Sequence, residues 1–156
     1  MQKPVKRGIY FGITSAIITT LGMITGLNAG SASKLIIIGG IFSIAIADAF
    51  SDSLGMHISE EAEKSNKSAW YAMVSTFLAK LIFALTFVIP FLLLNLNTAF
   101  IISIIWGFLS LAVLSWILAE KQKTNHIKVI AEHLIIAVVV IIATHIVGRL
   151  VYLVFS

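Results

Sequence analysis

Two aspartates, Asp48 and Asp52, lie four residues apart inside a long apolar stretch of the sequence. On an α-helix this spacing places both carboxylates on one face, one turn apart. Two ionised carboxylates at that separation repel each other, so the pair favours a shared proton or a shared cation. Met56 adds a thioether one turn further on, and oxygen ligands beside a thioether suit Fe²⁺ or Mn²⁺ better than a closed tetrahedral zinc site. The spacing therefore predicts a divalent-metal site.

An acidic segment follows the aspartates along the same helix. Glu63 continues their stripe at helical spacing, and Glu60 lies beside it. Carboxylates near a membrane surface attract cations before they enter the apolar region. We therefore expect Met56, Glu60 and Glu63 to form the approach through which a cation reaches the aspartates.

Lys80 offers the competing interpretation of the aspartates. It lies near the middle of the next apolar stretch, at a depth similar to that of Asp48 if both stretches cross a bilayer. Ionisable groups at that depth are costly and need a partner. A structural Asp48–Lys80 ion pair is therefore the alternative to a metal site. The two interpretations are compatible if Lys80 adjusts how the carboxylates bind a metal ion.

Hydroxyl side chains and glycines alternate along the first apolar stretch. One interpretation is a narrow polar path, lined by Ser15 and Thr19 from this stretch and by Ser51 from the next. The other is close helix packing, because small residues let helix backbones approach each other. Near the end of the chain, His145 is predicted to bond within the bundle rather than to serve as a ligand.

The composition indicates the setting in which these residues act. Hydrophobic residues make up 59% of the 156 residues and charged residues only 12%, too few to cover a soluble domain. A hydrocarbon core of about 30 Å needs roughly 20 helical residues to cross it. The sequence therefore predicts a single all-α membrane domain over residues 1–156, a bundle of five transmembrane helices. Their predicted bounds are residues 8–28, 35–56 with an extension to 63, 69–94, 98–119 and 128–155.

The basic residues predict the orientation of the bundle. Five spans place the termini on opposite faces, and Lys34 and Arg149 fall on the face away from the N-terminus. The face of the N-terminus holds Lys3, Lys6, Arg7, Lys64, Lys67, Lys121, Lys123 and Lys128. By the positive-inside rule the N-terminus is cytoplasmic. The chain is then a multi-pass protein of the cell membrane, or of an organelle membrane in a eukaryote.

Four stretches of the chain carry a recognisable order of features. They are Ile17-Ile18-Thr19-Thr20-Leu21-Gly22 before Gly26, Ala47-Asp48-Ala49-Phe50-Ser51-Asp52 before Gly55 and Ser59, Pro90 within the third apolar run, and Ala143-Thr144-His145-Ile146-Val147-Gly148-Arg149-Leu150. Together they resemble the vacuolar iron transporter family, a five-helix group of plants, fungi, protists and prokaryotes. The resemblance implies a homodimer that carries Fe²⁺ or Mn²⁺ as cargo out of the cytoplasm in exchange for protons, without a resident cofactor. It also implies that the first two helices lie at or near the two-fold axis, and the glycines of the first helix fit such an interface.

The chain departs from this family pattern at three places. Ser15-Ala16 stands where the family has Asp-Gly, Ser51-Asp52 where it has Ser-Met, and Gly55-Met56 where it has Gly-Glu. One acid is thus lost at Ser15 and another is gained at Asp52. This exchange either preserves a metal site or marks a divergent member with another cargo.

Other functions fit the sequence less well. A head-group transferase built on D-x-x-x-D needs a second aspartate pair, and an intramembrane aspartyl protease needs aspartates on two helices. The sequence supplies neither, so no enzymatic activity is predicted. The net charge of +4 comes from lysines between apolar runs, which indicates topology rather than nucleic-acid binding. The first apolar run is too long and too rich in threonine for a cleaved signal peptide. The alternative function to metal transport is that of a non-transporting membrane assembly or regulatory partner.

Overall fold

Apolar stretches without strand alternation fold as helices in lipid, because a helix pairs its own backbone groups. The computed structural model describes residues 3–63 and 66–155, and these residues form six helices. They are α1 (Lys3–Ala29), α2 (Lys34–Glu63), α3 (Asn66–Thr86), α4 (Val88–Leu93), α5 (Leu96–Gln122) and α6 (His126–Phe155). Because α3 and α4 together make one span, five helical segments are long and apolar enough to cross a membrane. The prediction of an all-helical chain with five such helices is confirmed.

The third span is interrupted just before Pro90. α3 ends at Thr86 and α4 begins at Val88, with the buried side chain of Phe87 between them. Proline has no N–H to donate to the carbonyl four residues back, which here is that of Thr86, and its ring crowds that carbonyl. The kink expected from Pro90 therefore appears as a break less than one turn before it.

Small residues on α1 bring its backbone against α3. A Cβ added at Gly8 would lie 2.6 Å from the carbonyl oxygen of Ala72, and one added at Gly12 would lie 2.7 Å from that of Thr76. Neither distance leaves room for a side chain. Gly12 is also close to the backbone nitrogen of Lys80, at 3.1 Å from its added Cβ. This close approach positions Lys80 beside α1.

The second half of α1 packs in the same way against α6. A Cβ at Gly148 would overlap the carbonyl group of Gly26, and one at Gly22 would lie 3.0 Å from the Cγ1 of Val140. The glycines of α1 therefore serve packing within one chain, as is usual for small residues between membrane helices. Their presence no longer supports an interface of α1 with a second copy.

α2 packs one face against α1 and α3 and leaves its opposite face exposed. Two rows at four-residue spacing lie side by side on the exposed face, as the i±4 geometry of a helix dictates. The row of small residues, here called the α2 groove, is Gly39, Ser43, Ala47, Ser51, Gly55 and Ser59. The row of large residues, here called the α2 ridge, is Phe42, Ile46, Phe50, Leu54 and Ile58. An added Cβ at Gly39 or Gly55 would meet no atom within 4 Å, so the groove is open.

Candidate functional site

Four polar side chains from three helices meet near the middle of the bundle. Ser15 of α1, Asp48 and Asp52 of α2 and Lys80 of α3 each lie at or within about one turn of the midpoint of their span. We call these four residues the central cluster. The Nζ of Lys80 lies 2.6 Å from the Oδ2 of Asp48, donates to the Oδ2 of Asp52 and donates to the Oγ of Ser15 at 2.8 Å. The sequence interpretation paired Lys80 with Asp48, and the structure adds Asp52 to the same ammonium.

Burial is distributed unequally over the central cluster. The Lys80 side chain is only 1% exposed, whereas those of Asp48 and Asp52 are 26% and 21% exposed. The two carboxylates carry one more charge than the ammonium neutralises when all three groups are ionised. The Oδ2 of Asp48 is buried, and no donor among the described residues is aligned on it for a hydrogen bond, although Nζ is close. With all three groups ionised, the cluster therefore carries one excess negative charge.

Ser15 connects α1 to the carboxylates. Its hydroxyl donates to the Oδ2 of Asp52 at 2.5 Å while it accepts from Lys80. Thr19, one turn further along α1, donates instead to the backbone carbonyl of Ser15 at 2.9 Å. Ser51 is exposed in the α2 groove. Of the three residues predicted to line a path, only Ser15 joins the central cluster through its side chain.

A second polar group, here called the terminal cluster, lies at the end of α2. Arg7 of α1 donates from Nη1 to the Oε2 of Glu60 at 2.7 Å and to that of Glu63 at 3.4 Å. Ser68 of α3 donates to the Oε1 of Glu60 at 2.9 Å. The Glu60 side chain is fully buried, while that of Glu63 is 58% exposed. Glu60 is thus held inside the bundle by a cation and a hydroxyl.

This arrangement changes the predicted approach to the aspartates. Glu60 was expected to face an incoming cation together with Glu63, but its carboxylate is buried against Arg7. Met56, between the two clusters in sequence, is half-buried. Sequence reasoning had used Arg7 only as a topology signal. A guanidinium can bind two carboxylates at once. The arginine in the first turns of α1 was therefore the signal that could have identified the terminal cluster.

Two further observations bear on ligands elsewhere in the chain. His145 is exposed on α6, so the expectation that it bonds inside the bundle was wrong; the outward face of α6 rather than its packed face carries it. Over residues 3–63 and 66–155 there is no group of three or more His, Cys, Asp or Glu side chains placed to hold a metal ion. A cation at the central cluster would therefore be bound by two carboxylates together with hydroxyl or water oxygens.

No protein-family model, no curated protein and no solved structure matches this chain. The resemblance to the vacuolar iron transporter family therefore stays a prediction that rests on the sequence features given above.

Proposed function

We propose that the chain transports divalent metal ions, Fe²⁺ or Mn²⁺, out of the cytoplasm in exchange for protons. The central cluster carries this proposal, because ionisable side chains at the middle of membrane spans are rare and mark ion pathways. Asp48 and Asp52 supply the cargo ligands, and Ser15 adds a hydroxyl oxygen. Carboxylate and hydroxyl oxygens are ligands that Mn²⁺ and Fe²⁺ accept.

The contact between Ser15 and Asp52 supports the same cargo. The resembling family carries an acid at the position of Ser15, and this chain carries an additional acid at Asp52. The Ser15 hydroxyl and the Asp52 carboxylate are 2.5 Å apart, so the two positions face the same space. The lost charge on α1 is thus replaced by a charge from α2 at nearly the same place.

The family resemblance implies the direction of transport, and the proposed orientation places the N-terminus and the acidic end of α2 in the cytoplasm. The basic residues at that end of the bundle motivate it. The chain has no cysteine, so single cysteines can be introduced without background. Cysteines at Asn97 and Thr124, at opposite ends of α5, should label from the outside and from the cytoplasm respectively. Labelling of both from one side would refute the orientation.

We further propose that two copies associate through the exposed face of α2. The α2 ridge of one copy fits the α2 groove of the other about a two-fold axis, as ridges pack into grooves between helices. Such pairing also covers the exposed edges of Asp48 and Asp52, which lie beside Ser51 and Gly55 on the helix. Lipid contact with those edges would be costly.

Gly55→Leu tests this interface without disturbing the protomer. The open space at Gly55 accepts a side chain, and leucine favours the helix more than glycine does. We expect the apparent dimerisation affinity in detergent to fall by at least about fivefold, since overpacking costs about 1–3 kcal/mol. Ala131→Leu, on the exposed part of α6, is the matched control. Native mass spectrometry that shows equal dimer fractions in both variants would refute an α2 interface.

Asp52→Asn tests the transport function itself. Asparagine keeps the shape and one oxygen but removes the charge, and a close charge pair is worth about 2–5 kcal/mol. Saturable Mn²⁺ or Fe²⁺ uptake into liposomes should fall by at least about thirtyfold, with the fold and dimer retained. Glu63→Gln removes a carboxylate from the same helix outside the central cluster, and its maximal rate should be close to wild type. Wild-type rates in Asp52→Asn would contradict the proposal.

The second candidate function is a membrane assembly or regulatory partner that carries no cargo. One observation favours it: Lys80 is already bound by both aspartates, as in a purely structural ion-pair network. In some proteins such networks specify a single packing of the helices without binding a ligand. The same liposome experiment separates the two functions, because this candidate predicts no saturable metal flux in the wild-type protein.

A further inference from the structure

The ammonium of Lys80 has the surroundings expected of a bound cation. Three oxygen-bearing side chains from two other helices converge on Nζ, from Asp48, Asp52 and Ser15. The lysine side chain is buried, and Gly12 lets the backbone of α1 approach that of α3 at Lys80. Nζ therefore occupies the position from which a single cation touches both carboxylates.

A divalent ion cannot share this position with the ammonium. Both are cations, and at contact distance in a weakly polar interior their repulsion is large. A metal ion that takes the Oδ2 atoms of Asp48 and Asp52, both of which contact Nζ, must therefore move Nζ away from them. The flexible four-carbon stem of lysine permits such a movement, and the Ser15 hydroxyl remains an acceptor within its reach.

We propose that Lys80 is a tethered competitor of the cargo and thereby sets how tightly the site holds it. This inference rests on the transport function proposed above. In the empty protein the ammonium fills the cargo position, and cargo binding displaces it. After translocation the returning ammonium takes the carboxylates back and promotes release. Transport requires binding that is strong enough for entry and weak enough for exit, and the competitor supplies the weakening.

A purely structural role for Lys80 makes the opposite prediction about metal binding. If the ammonium only pins α3 to α1 and α2, its removal disorders the carboxylates and weakens or abolishes metal binding. If it competes with cargo, its removal leaves two carboxylates without a cation. The site then carries a greater negative charge and nothing occupies it, so metal binding becomes tighter.

The experiment measures Mn²⁺ affinity and thermal unfolding in purified full-length wild type and Lys80→Met. We expect Lys80→Met to bind Mn²⁺ at least about tenfold more tightly, since close charge pairs couple by more than one factor of ten. Mn²⁺ should also raise the unfolding temperature of this variant far more than that of the wild type, because the metal replaces the missing ammonium. Lys34→Met is the matched control, since Lys34 donates to the carbonyl of Leu94 away from the cluster. Its Mn²⁺ affinity should equal that of the wild type.

The same comparison in an Asp48→Asn background covers the case in which Lys80→Met fails to fold. Asp48→Asn retains the competitor and a balanced pair with Asp52, and the double variant removes the competitor while one carboxylate remains. The double variant should bind Mn²⁺ more tightly than Asp48→Asn alone. Equal or weaker binding on removal of Lys80 in a folded background overturns the inference.

The outcomes separate this inference from the proposed function. Wild-type flux that requires Asp52, together with unchanged Mn²⁺ affinity in Lys80→Met, overturns the competitor and leaves transport standing. Absence of wild-type flux, together with tighter Mn²⁺ binding in Lys80→Met, overturns transport and leaves the competition for the carboxylates in place.

Discussion

The central and terminal clusters have the same composition but opposite arrangements. Each contains one cation, one serine and two carboxylates contributed by α2. In the terminal cluster α1 gives the cation and α3 gives the serine, whereas in the central cluster α3 gives the cation and α1 gives the serine. α2 is therefore tied to both of its neighbours at two levels.

The difference between the clusters lies in which partner is buried. In the terminal cluster the carboxylate of Glu60 is fully buried and its arginine is half-exposed. In the central cluster the lysine is buried and the two carboxylates keep exposed edges. A permanently charged, two-pronged guanidinium suits a fixed tie, while an ammonium on a flexible stem suits an exchangeable one. The comparison teaches that similar charge sets can be built with the carboxylate buried or with the cation buried, and under the proposed function only the second arrangement binds a ligand.

The largest effect on stability is expected from Lys80→Met in the absence of divalent metal. Two partly buried carboxylates would remain without a cation, and breaking a buried pair in this way costs about 3–5 kcal/mol of unfolding free energy. Asp48→Asn combined with Lys80→Met removes one of these charges and should recover much of the loss, as judged by denaturant unfolding in detergent.

The double variant also assigns the role of Asp48. Transport that is weaker in the double variant than in Lys80→Met alone would make Asp48 a cargo ligand, whereas equal transport in the two variants would make it a structural partner of Lys80. If Lys80→Met and the double variant lose equal stability, charge balance does not determine the stability of the central cluster. The proposed difference between the two clusters would then be wrong.

A smaller effect is expected from Glu60→Gln in the terminal cluster. Glutamine keeps acceptor and donor atoms for Arg7 and Ser68 but removes the charge, and a hydrogen bond to a charged group contributes about 1.5–3 kcal/mol. Unfolding free energy should fall by about that amount while the maximal transport rate persists. Loss of transport at unchanged stability would show that Glu60 belongs to the ion pathway and does not serve only to hold α2 to its neighbours.

The smallest effect is expected from Glu63→Gln. Its carboxylate is exposed and 3.4 Å from Arg7, and exposed ion pairs contribute about 0–1 kcal/mol. Stability should be nearly unchanged. If Glu63 gathers cations for the central cluster, the metal concentration at half-maximal uptake should rise while the maximal rate stays constant. If neither the half-maximal metal concentration nor the maximal rate changes, Glu63 is not part of the path by which cations reach the central cluster.

Much of the fold could be predicted from the sequence because membrane crossing constrains length and polarity so strongly. The five spans follow from apolar runs, and the break in the third span follows from the chemistry of Pro90. The meeting of Asp48 with Lys80 could also be predicted, since both lie at the middle of their spans and neither is tolerated there alone.

The terminal cluster was missed, although Arg7 and the helix geometry of α2 carried a signal for it. Each four-residue step along an α-helix turns the side chain by about 40°. Three such steps separate Asp48 from Glu60, so Glu60 leaves the stripe of the aspartates by about 120° and enters the bundle. The neighbours of the α1 glycines were beyond sequence reasoning, because a small residue fits against a helix of the same chain as well as against a second copy.

The position of Lys80 on the third span has a consequence for how the protein is made. Synthesis proceeds from the N-terminus, so the hairpin of α1 and α2 is available before α3 emerges. That hairpin presents Ser15, Asp48 and Asp52 as a waiting acceptor site at membrane depth. Neither the aspartates of this hairpin nor the lysine would be well tolerated in lipid alone, so α3 must join the hairpin as the charges enter the bilayer. The order of the helices along the chain is thus also the order in which an unfavourable charge finds its partners during biogenesis.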